Sequence, residues 1–280
     1  VQMILIDNSQ VILSSIFAQT KGSINGIDES LVRHMTLNAY RNFKNKFSSK
    51  FGELVICEDS SNCWRKDHFP LYKANRKKNQ NKSDVDWSSV YDTLTKVRNE
   101  IRDTFPYKNM RVPRTEADDI IAVLARRFHD QEPIMIVSGD KDFKQLQKFP
   151  NVQQYSPVQK NMIECDDPEK FLIYHIIKGD ASDGVPNVLS EDDVFVCEDK
   201  RQKPCGEKKI NSLMENLDPV ACTDNWNRND MLINLDKIPD DIVNLVVQEW
   251  ETPIVGSKSK VFNYFIEHKL KNLMGDIQEF

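Results

Sequence analysis

The sequence predicts an α/β protein, with a central, mainly parallel sheet flanked by helices and a smaller helical C-terminal region. Three short apolar runs, "MILID" (3–7), "LVICED" (54–59) and "IMIVSGD" (134–140), have strand length, and each ends in an aspartate. Helical patterns lie between them, and unbroken apolar strands alternating with helices mark a parallel sheet covered on both faces. After about residue 165 the strand signal fades and helical periodicity takes over. At 280 residues, 39% hydrophobic and 9% aromatic, the chain can build one large domain or two modest ones. The boundary falls between an α/β domain, 1–165, and a helical domain, 166–280.

The strand-length runs place Asp7, Asp59 and Asp140 at strand ends. Ligands bind beyond the carboxyl ends of parallel strands, so the three aspartates are expected to meet at one edge although they are far apart in sequence. Before the third run, "RTEADDIIAVLARRFHD" reads as a helix with Thr115 as N-cap and Glu116, Asp118 and Asp119 in its first turn. Ala117, Ile120, Ile121, Leu124 and Phe128 form its apolar stripe. In the second half, "DPEKFLIYHIIKGD", "PDDIVNLVVQEWE" and "KSKVFNYFIEHKLKNLM" read as helices, and "EDDVFVCEDKRQKPCGEKK" as a charged connector. There is no internal repeat, and "KANRKKNQNKSD" (73–84) is the one tract resembling low complexity.

A net charge of -5 argues against a generally basic, histone-like mode of nucleic-acid binding. The six cysteines, at 57, 63, 165, 197, 205 and 222, form no C-x-x-C pair and read as reduced thiols. No run approaches the ~20 apolar residues that span a bilayer, and "VQMILIDNSQ" has no basic segment ahead of a signal-peptide core. A cytoplasmic protein with no membrane partner is expected.

The chemistry lies in the acids. Asp7, Asp59, Glu116, Asp118, Asp119, Asp140 and Asp142, with Asp180 and Asp183 of "KGDASDGVPN", all fall at element ends. Sharing one edge, they would repel severely and some would be forced to protonate unless divalent cations intervened. None of the histidines, at 34, 68, 129, 175 and 268, adjoins these carboxylates in sequence, and an all-oxygen set suits Mg²⁺, with Mn²⁺ as a substitute. Two ions roughly 4 Å apart would activate water and stabilise both oxygens of an in-line phosphoryl displacement, which points to phosphodiester hydrolysis. Taken singly, each cluster has a plainer reading. First-turn acids suit the helix dipole, and "GDKD" and "GDASDG" are turn-forming.

Directly after Asp59, residues 60–83 carry Arg65, Lys66, Lys73, Arg76, Lys77, Lys78 and Lys82, interleaved with Trp64, Phe69 and Tyr72. Basic side chains neutralise phosphates and aromatics stack on unpaired bases, a footprint for single-stranded nucleic acid. A lysine run alone would read as a solvated loop. Because this one leaves the strand end bearing Asp59, Lys73 and Arg65 are expected to stabilise charge on a scissile phosphate.

These motifs, "LIDNSQ", "CEDSSNCWRKDHFPLYKANRKK", "TEADDIIAVLA", "SGDKDFKQL", "NVQQYSP", "KGDASDGVPN" and "FNYFIEHKLKNLMGDIQEF", together resemble the flap endonuclease and 5′ nuclease superfamily, in its order and over nearly the whole chain. The resemblance implies the PIN-like 5′ nuclease fold and a 5′ to 3′ exonuclease and flap endonuclease. Its bacteriophage members imply removal of RNA primers and adjoining DNA during replication, in the cytoplasm of an infected host. It implies that Asp7, Asp59, Asp118 and Asp140 hold a first ion with Glu116 close by, and that Asp142, Asp180 and Asp183 hold a second, Asp119 also matching. Residues 60–83 would form the arch or clamp for the 5′ strand, with Arg65, Lys66, Tyr72, Lys73, Arg76, Lys77 and Lys78 contacting nucleic acid. Catalysis would rest on Lys73, Arg65, Asp118 and Asp140. Implied partners are DNA and RNA–DNA hybrids with 5′ ends or flaps, a single-strand-binding protein and a sliding clamp, for a monomeric enzyme. The chain departs from the pattern where the family's helix-hairpin-helix-like element has a glycine-rich turn. "GVPNVLSEDDVFVCEDK" is acidic there, which leaves "KRQKPCGEKK" (200–209) to supply basic contacts.

Two rival readings differ in class. A haloacid-dehalogenase-type phosphatase would want an aspartate two residues after the Asp7 nucleophile, where this chain has Ser9. A non-cleaving nucleic-acid adaptor would have no need of the intact acid set.

Overall fold

A computed structural model of the protein describes residues 2–20 and 26–280. The chain opens with β1 (Met3–Asp7), α1 (Asn8–Thr20), α2 (Glu29–Phe51) and β2 (Glu53–Glu58). Short helices α3 (Arg65–His68) and α4 (Ala74–Asn81) then lead to α5 (Trp87–Thr104), β3 (Lys108–Arg111), α6 (Ala117–Phe128) and β4 (Ile134–Val137). A 3-10 helix (Lys141–Lys148) precedes β5 (Val152–Ser156) and β6 (Asn161–Ile163). The remainder is helical: α7 (Pro168–Lys178), α8 (Glu207–Glu215), α9 (Asp218–Ala221), α10 (Asp224–Ile233), α11 (Asp240–Trp250), α12 (Lys258–Glu267) and α13 (Lys271–Met274).

The strands form one sheet in the order β3-β2-β1-β4-β5-β6, parallel except for the β5–β6 pair. Successive side chains on a strand point to opposite faces, and both faces of β1 are apolar. Ile4 and Ile6 join a core with α1, α2 and α5, while Met3 and Leu5 join another beneath α6 and α11. This explains the unbroken apolar runs. The sequence reading did not single out β3, β5 or β6. β3 is an edge strand with one fully buried side chain, Met110, and β5 buries Gln154, which donates to the carbonyls of Ser138 and Asp140.

The region after residue 166 builds a small core of its own from Ile177, Val188, Ile210 and Val220, and also completes both cores of the sheet. Phe265 and Phe280 pack against Phe105 with ring centroids 6.2 and 5.8 Å away. The "KSKVFNYFIEHKLKNLM" helix breaks at Lys269, whose φ is 55°. No helix among the described residues is long and apolar enough to cross a membrane, and all six cysteines are free.

Because Phe265 is buried and Phe262 on the same helix is 48% exposed, Phe265→Ala is expected to cost about 3–5 kcal/mol in denaturant unfolding. Phe262→Ala should stay within about 0.5 kcal/mol of the parent.

Candidate active site

β1 lies between β2 and β4, so the chain leaves it on one side and returns on the other. The crevice at such a reversal, beyond the strands' carboxyl ends, is where α/β sheets place ligands. Asp7 ends β1, Asp59 follows β2 and Asp140 follows β4. Ser138 Oγ donates to Asp7 Oδ2 at 3.0 Å, and Ser9 Oγ donates to Asp59 Oδ2 at 2.5 Å. The backbone N–H of Ala117, in the first turn of α6, reaches Asp59 Oδ1 at 2.9 Å, which ties the start of α6 to the second strand end. Burial, followed by the charges of Asp59 and Asp140, pushes the Asp7 carboxyl up to about 7. Burial and then Asp140, Asp7 and Glu116 push Asp118 well above the usual carboxylate range. These four aspartates share one field with too little positive charge to balance it.

The helix carrying Asp118 begins one residue later than the sequence suggests. Thr115 donates to the Val112 carbonyl, and the N-cap is Glu116, paired with Asp119 in a reciprocal capping box. Asp119 is fully buried, accepts from the Glu116 backbone N–H at 2.8 Å and meets Arg65 Nη2 at 2.9 Å. It is a capping and ion-pairing residue, which removes it from the expected metal ligands. Glu116 meets Arg65 Nη1 at 3.0 Å and also pairs with Lys73. Burial alone would raise its carboxyl, but Lys73 and Arg65 outweigh this and hold it at about 2.

Within residues 60–83 the aromatic side chains and Arg65 turn inward, while Lys66, Arg76, Lys77 and Lys82 lie at the surface. Trp64, Phe69 and Tyr72 are buried, so they cannot stack on bases as expected. Arg65 is 3% exposed and also donates to the Leu232 carbonyl at 2.8 Å, so it is enclosed rather than set against a phosphate. The Tyr72 hydroxyl lies 2.9 Å from both Glu116 and Asp183. Lys73 holds a left-handed backbone (φ 60°), donates its N–H to the Asp183 carbonyl at 2.7 Å, and brings its Nζ within 3.5 Å of the Asp183 carboxylate. Arg76 Nη2 binds Asp183 at 2.5 Å, and Lys78 pairs with Glu198 at 3.2 Å. Lys66 and Lys77 remain exposed.

Of the second acid set, Asp142 and Asp180 gather around His175, while Asp183 faces Tyr72, Lys73 and Arg76. The sequence reading set the histidines aside, yet His175 Nδ1 lies 3.3 Å from Asp142 Oδ1 and its Nε2 lies 3.3 Å from Asp180 Oδ2. A lone histidine inside the apolar run "FLIYHIIK" was the available signal. Lys141, between Asp140 and Asp142 in sequence, reaches Asp180 Oδ2 at 2.8 Å. Gly179 fixes the turn: its φ is 69°, and a Cβ there would sit 2.5 Å from the carbonyls of Val185 and Pro186. Burial works against a charged Asp180, but His175, Lys141 and Ser182 hold its carboxyl well below the usual range. Burial and Asp140 push Asp142 up to about 7 against the opposing charge of His175.

Divalent cations fit this arrangement on the chemistry of its donors. Asp7, Asp118 and Asp142 carry raised carboxyls, and Asp142 Oδ1 and His175 Nδ1 are buried without a hydrogen-bond partner. Cys63 also lies near Glu116 and Asp119, but Arg65 already contacts all three.

Residues 2–172 match the family described as 5′-3′ exonuclease, N-terminal resolvase-like domain, and residues 166–280 match that described as T4 RNase H, C terminal. Ribonuclease H of Enterobacteria phage T4 is 32% identical over 290 residues, covering 99% of this chain and 95% of that protein. A 5′-3′ exonuclease of Buchnera aphidicola subsp. Schizaphis graminum is 27% identical over 196 residues, covering 66% of this chain and 65% of its own length. The flap endonuclease of bacteriophage T5, solved with DNA and metal ions, superposes with a TM-score of 0.64 at 17% identity, covering 89% of this chain and 98% of that one. At that identity the likeness is one of fold.

Two outcomes follow from the charge arrangement. Arg65→Ala leaves Asp119 buried beside Glu116 without its partner and should cost about 3–5 kcal/mol in chemical unfolding, while Lys66→Ala should be neutral. Asp7 and Asp142 rise from 3.8 to about 7 on folding, so the metal-free folded state binds more protons than the unfolded chain in that window. Stability therefore falls as pH rises through it, and the melting temperature should drop from about pH 5 to about pH 7, with a smaller drop in Asp7→Asn.

Proposed function

The chain belongs to the 5′-3′ exonuclease family and is a nuclease of the exonuclease and flap-endonuclease type, and from that premise we propose how its residues divide the work. In this reading the enzyme is Mg²⁺-dependent, with Mn²⁺ as a substitute, and acts on DNA and RNA–DNA hybrids with 5′ ends or flaps, removing RNA primers and adjoining DNA in phage replication. The observation that carries it is the clustering of Asp7, Asp59, Asp118 and Asp140 beyond the sheet, where burial and then the charges of Asp59 and Asp140 push Asp7 up, and burial and then Asp140 and Asp7 push Asp118 up.

Those four residues would hold one ion, and Asp142, Asp180 and Asp183 would hold or orient a second. Bound ions would supply the charge that activates water and stabilises the attacking and leaving oxygens of the phosphodiester. Ser9, Ser138 and the Ala117 N–H keep the carboxylates aimed, so little reorganisation is left for the reacting state. Lys73, whose ammonium pairs with Glu116 and Asp183, would stabilise charge on the scissile phosphate. Arg65 and Tyr72 position Glu116 rather than touch substrate. Exposed Lys66 and Lys77 would track the phosphate backbone. The replication setting also implies a single-strand-binding protein, a sliding clamp and a monomer in the host cytoplasm.

The test is a 5′-labelled flap or nicked duplex incubated with Mg²⁺. Short 5′ products are expected, lost in EDTA and reduced at least about 100-fold in Asp140→Asn. Undiminished products in EDTA or in Asp140→Asn would reject the assignment. Binding without turnover in Mg²⁺ would favour an adaptor.

A further inference from the structure

We propose that His175 is a nitrogen ligand of the second metal position, its Nδ1 acting beside Asp142 Oδ1, so that this position takes Mn²⁺ in preference to Mg²⁺. The inference rests on the nuclease reading for there being a second ion, and on separate observations for the ligand. His175 is 3% exposed and fixed on α7. Its Nε2 faces Asp180 Oδ2 at 3.3 Å, which favours the tautomer with the proton on Nε2 and leaves a lone pair on Nδ1. Metal-binding histidines are set in this way, with the far nitrogen donating to a carboxylate.

Asp180 is itself fully engaged. Oδ2 accepts from Lys141 and His175, and Oδ1 accepts from the Ser182 N–H at 2.8 Å and the Ser182 hydroxyl at 2.5 Å. It is built to orient the imidazole. Nδ1 and Asp142 Oδ1, by contrast, are buried, make no hydrogen bond and lie 3.3 Å apart. Two donors at right angles on an ion with bonds of about 2.1 Å lie about 3 Å apart, so the pair stands near the spacing of adjacent ligands. Asp142, His175 and Asp180 together keep their donor atoms within 4.8 Å of one another. An imidazole among carboxylates shifts preference from Mg²⁺ towards Mn²⁺ and later transition metals.

The plain rival is that the imidazole is a cation bracing two acids. His175→Lys keeps a positive charge and offers no imidazole nitrogen, so it separates the two ideas. The full chain, with histidine ¹⁵N-labelled and loaded with Mn²⁺ alone, is examined by electron spin-echo modulation. A ¹⁵N coupling is expected in the parent and lost in both His175→Gln and His175→Lys. Mn²⁺ affinity at one site should fall roughly 10- to 100-fold in both variants, with a much smaller change for Mg²⁺ in the uncharged His175→Gln. Parent protein that binds Mn²⁺ without a histidine coupling, or His175→Lys that binds Mn²⁺ as the parent does, overturns the proposal. Should either variant fail to fold, the parent's coupling decides alone. A coupling in protein that cleaves no 5′ flap would reject the nuclease reading and keep the ligand, whereas cleavage without a coupling would do the reverse.

Discussion

The arrangement depends on the mutual repulsion of carboxylates held together beyond one edge of a parallel sheet. In a partly desolvated site each added negative charge raises the cost of the others. The chain answers with its own cations, but unevenly. Arg65, Lys73 and Arg76 meet Glu116, Asp119 and Asp183, and Lys141 meets Asp180, whose Oδ2 also faces His175 Nε2. Glu116 and Asp180 accordingly sit below their ordinary range, while Asp7, Asp118 and Asp142 sit above it. Identical chemistry is driven in opposite directions by its neighbours. The division separates acids that the protein satisfies internally from an inner group, Asp7, Asp118 and Asp142, whose charge it leaves unbalanced.

The fold keeps that inner group from relaxing apart. β1 is central, its apolar side chains are locked on both faces, and its last residue is Asp7. Asp59 is fixed to the next strand's end and to the first turn of α6, so the helix bearing Asp118 cannot slide without breaking a hydrogen bond to a half-buried acid. Gln154 secures the Ser138 and Asp140 carbonyls from β5, which gives a polar side chain in an interior strand a structural reason. The C-terminal helices reinforce this from below, since Phe265 and Phe280 close the core that holds the inner face of β1.

How much of this was legible follows from the physics of each signal. β1, β2 and β4 were readable because burial on both faces demands unbroken apolar runs, and their terminal aspartates came with them. β3 and β6 are the sheet edges, where one polar face suffices, and β5 hides behind Gln154, a buried glutamine used as a hydrogen-bond donor. The acids were legible as a set, but not which of them the protein would neutralise, because that depends on cations brought in from residues 65–76. Charge count revealed the basic segment, whereas its direction was set by Trp64, Phe69 and Tyr72, whose burial turns the aromatic side of the segment inward. His175 was passed over because adjacency was judged along the chain, and α7 brings it to Asp142 across 33 residues of sequence.

Arg65 and Lys73 show how side-chain chemistry then settles roles within one segment. Arg65 is planar, permanently charged and multiply donating, and its fork spans Glu116, Asp119 and the Leu232 carbonyl, which joins α3, α6 and α10 at a buried point. Moving it would strand two acids and a carbonyl together. Lys73 sits at the same carboxylate, but its side chain is 19% exposed on a flexible stem ending in one ammonium. Its ammonium pairs with Glu116 and Asp183, while Arg65 and the Tyr72 hydroxyl also contact Glu116. Two cations eight positions apart in a run that looks uniformly basic therefore differ in kind. The arginine joins three elements at a buried point, and the lysine faces two carboxylates at the edge of the cluster.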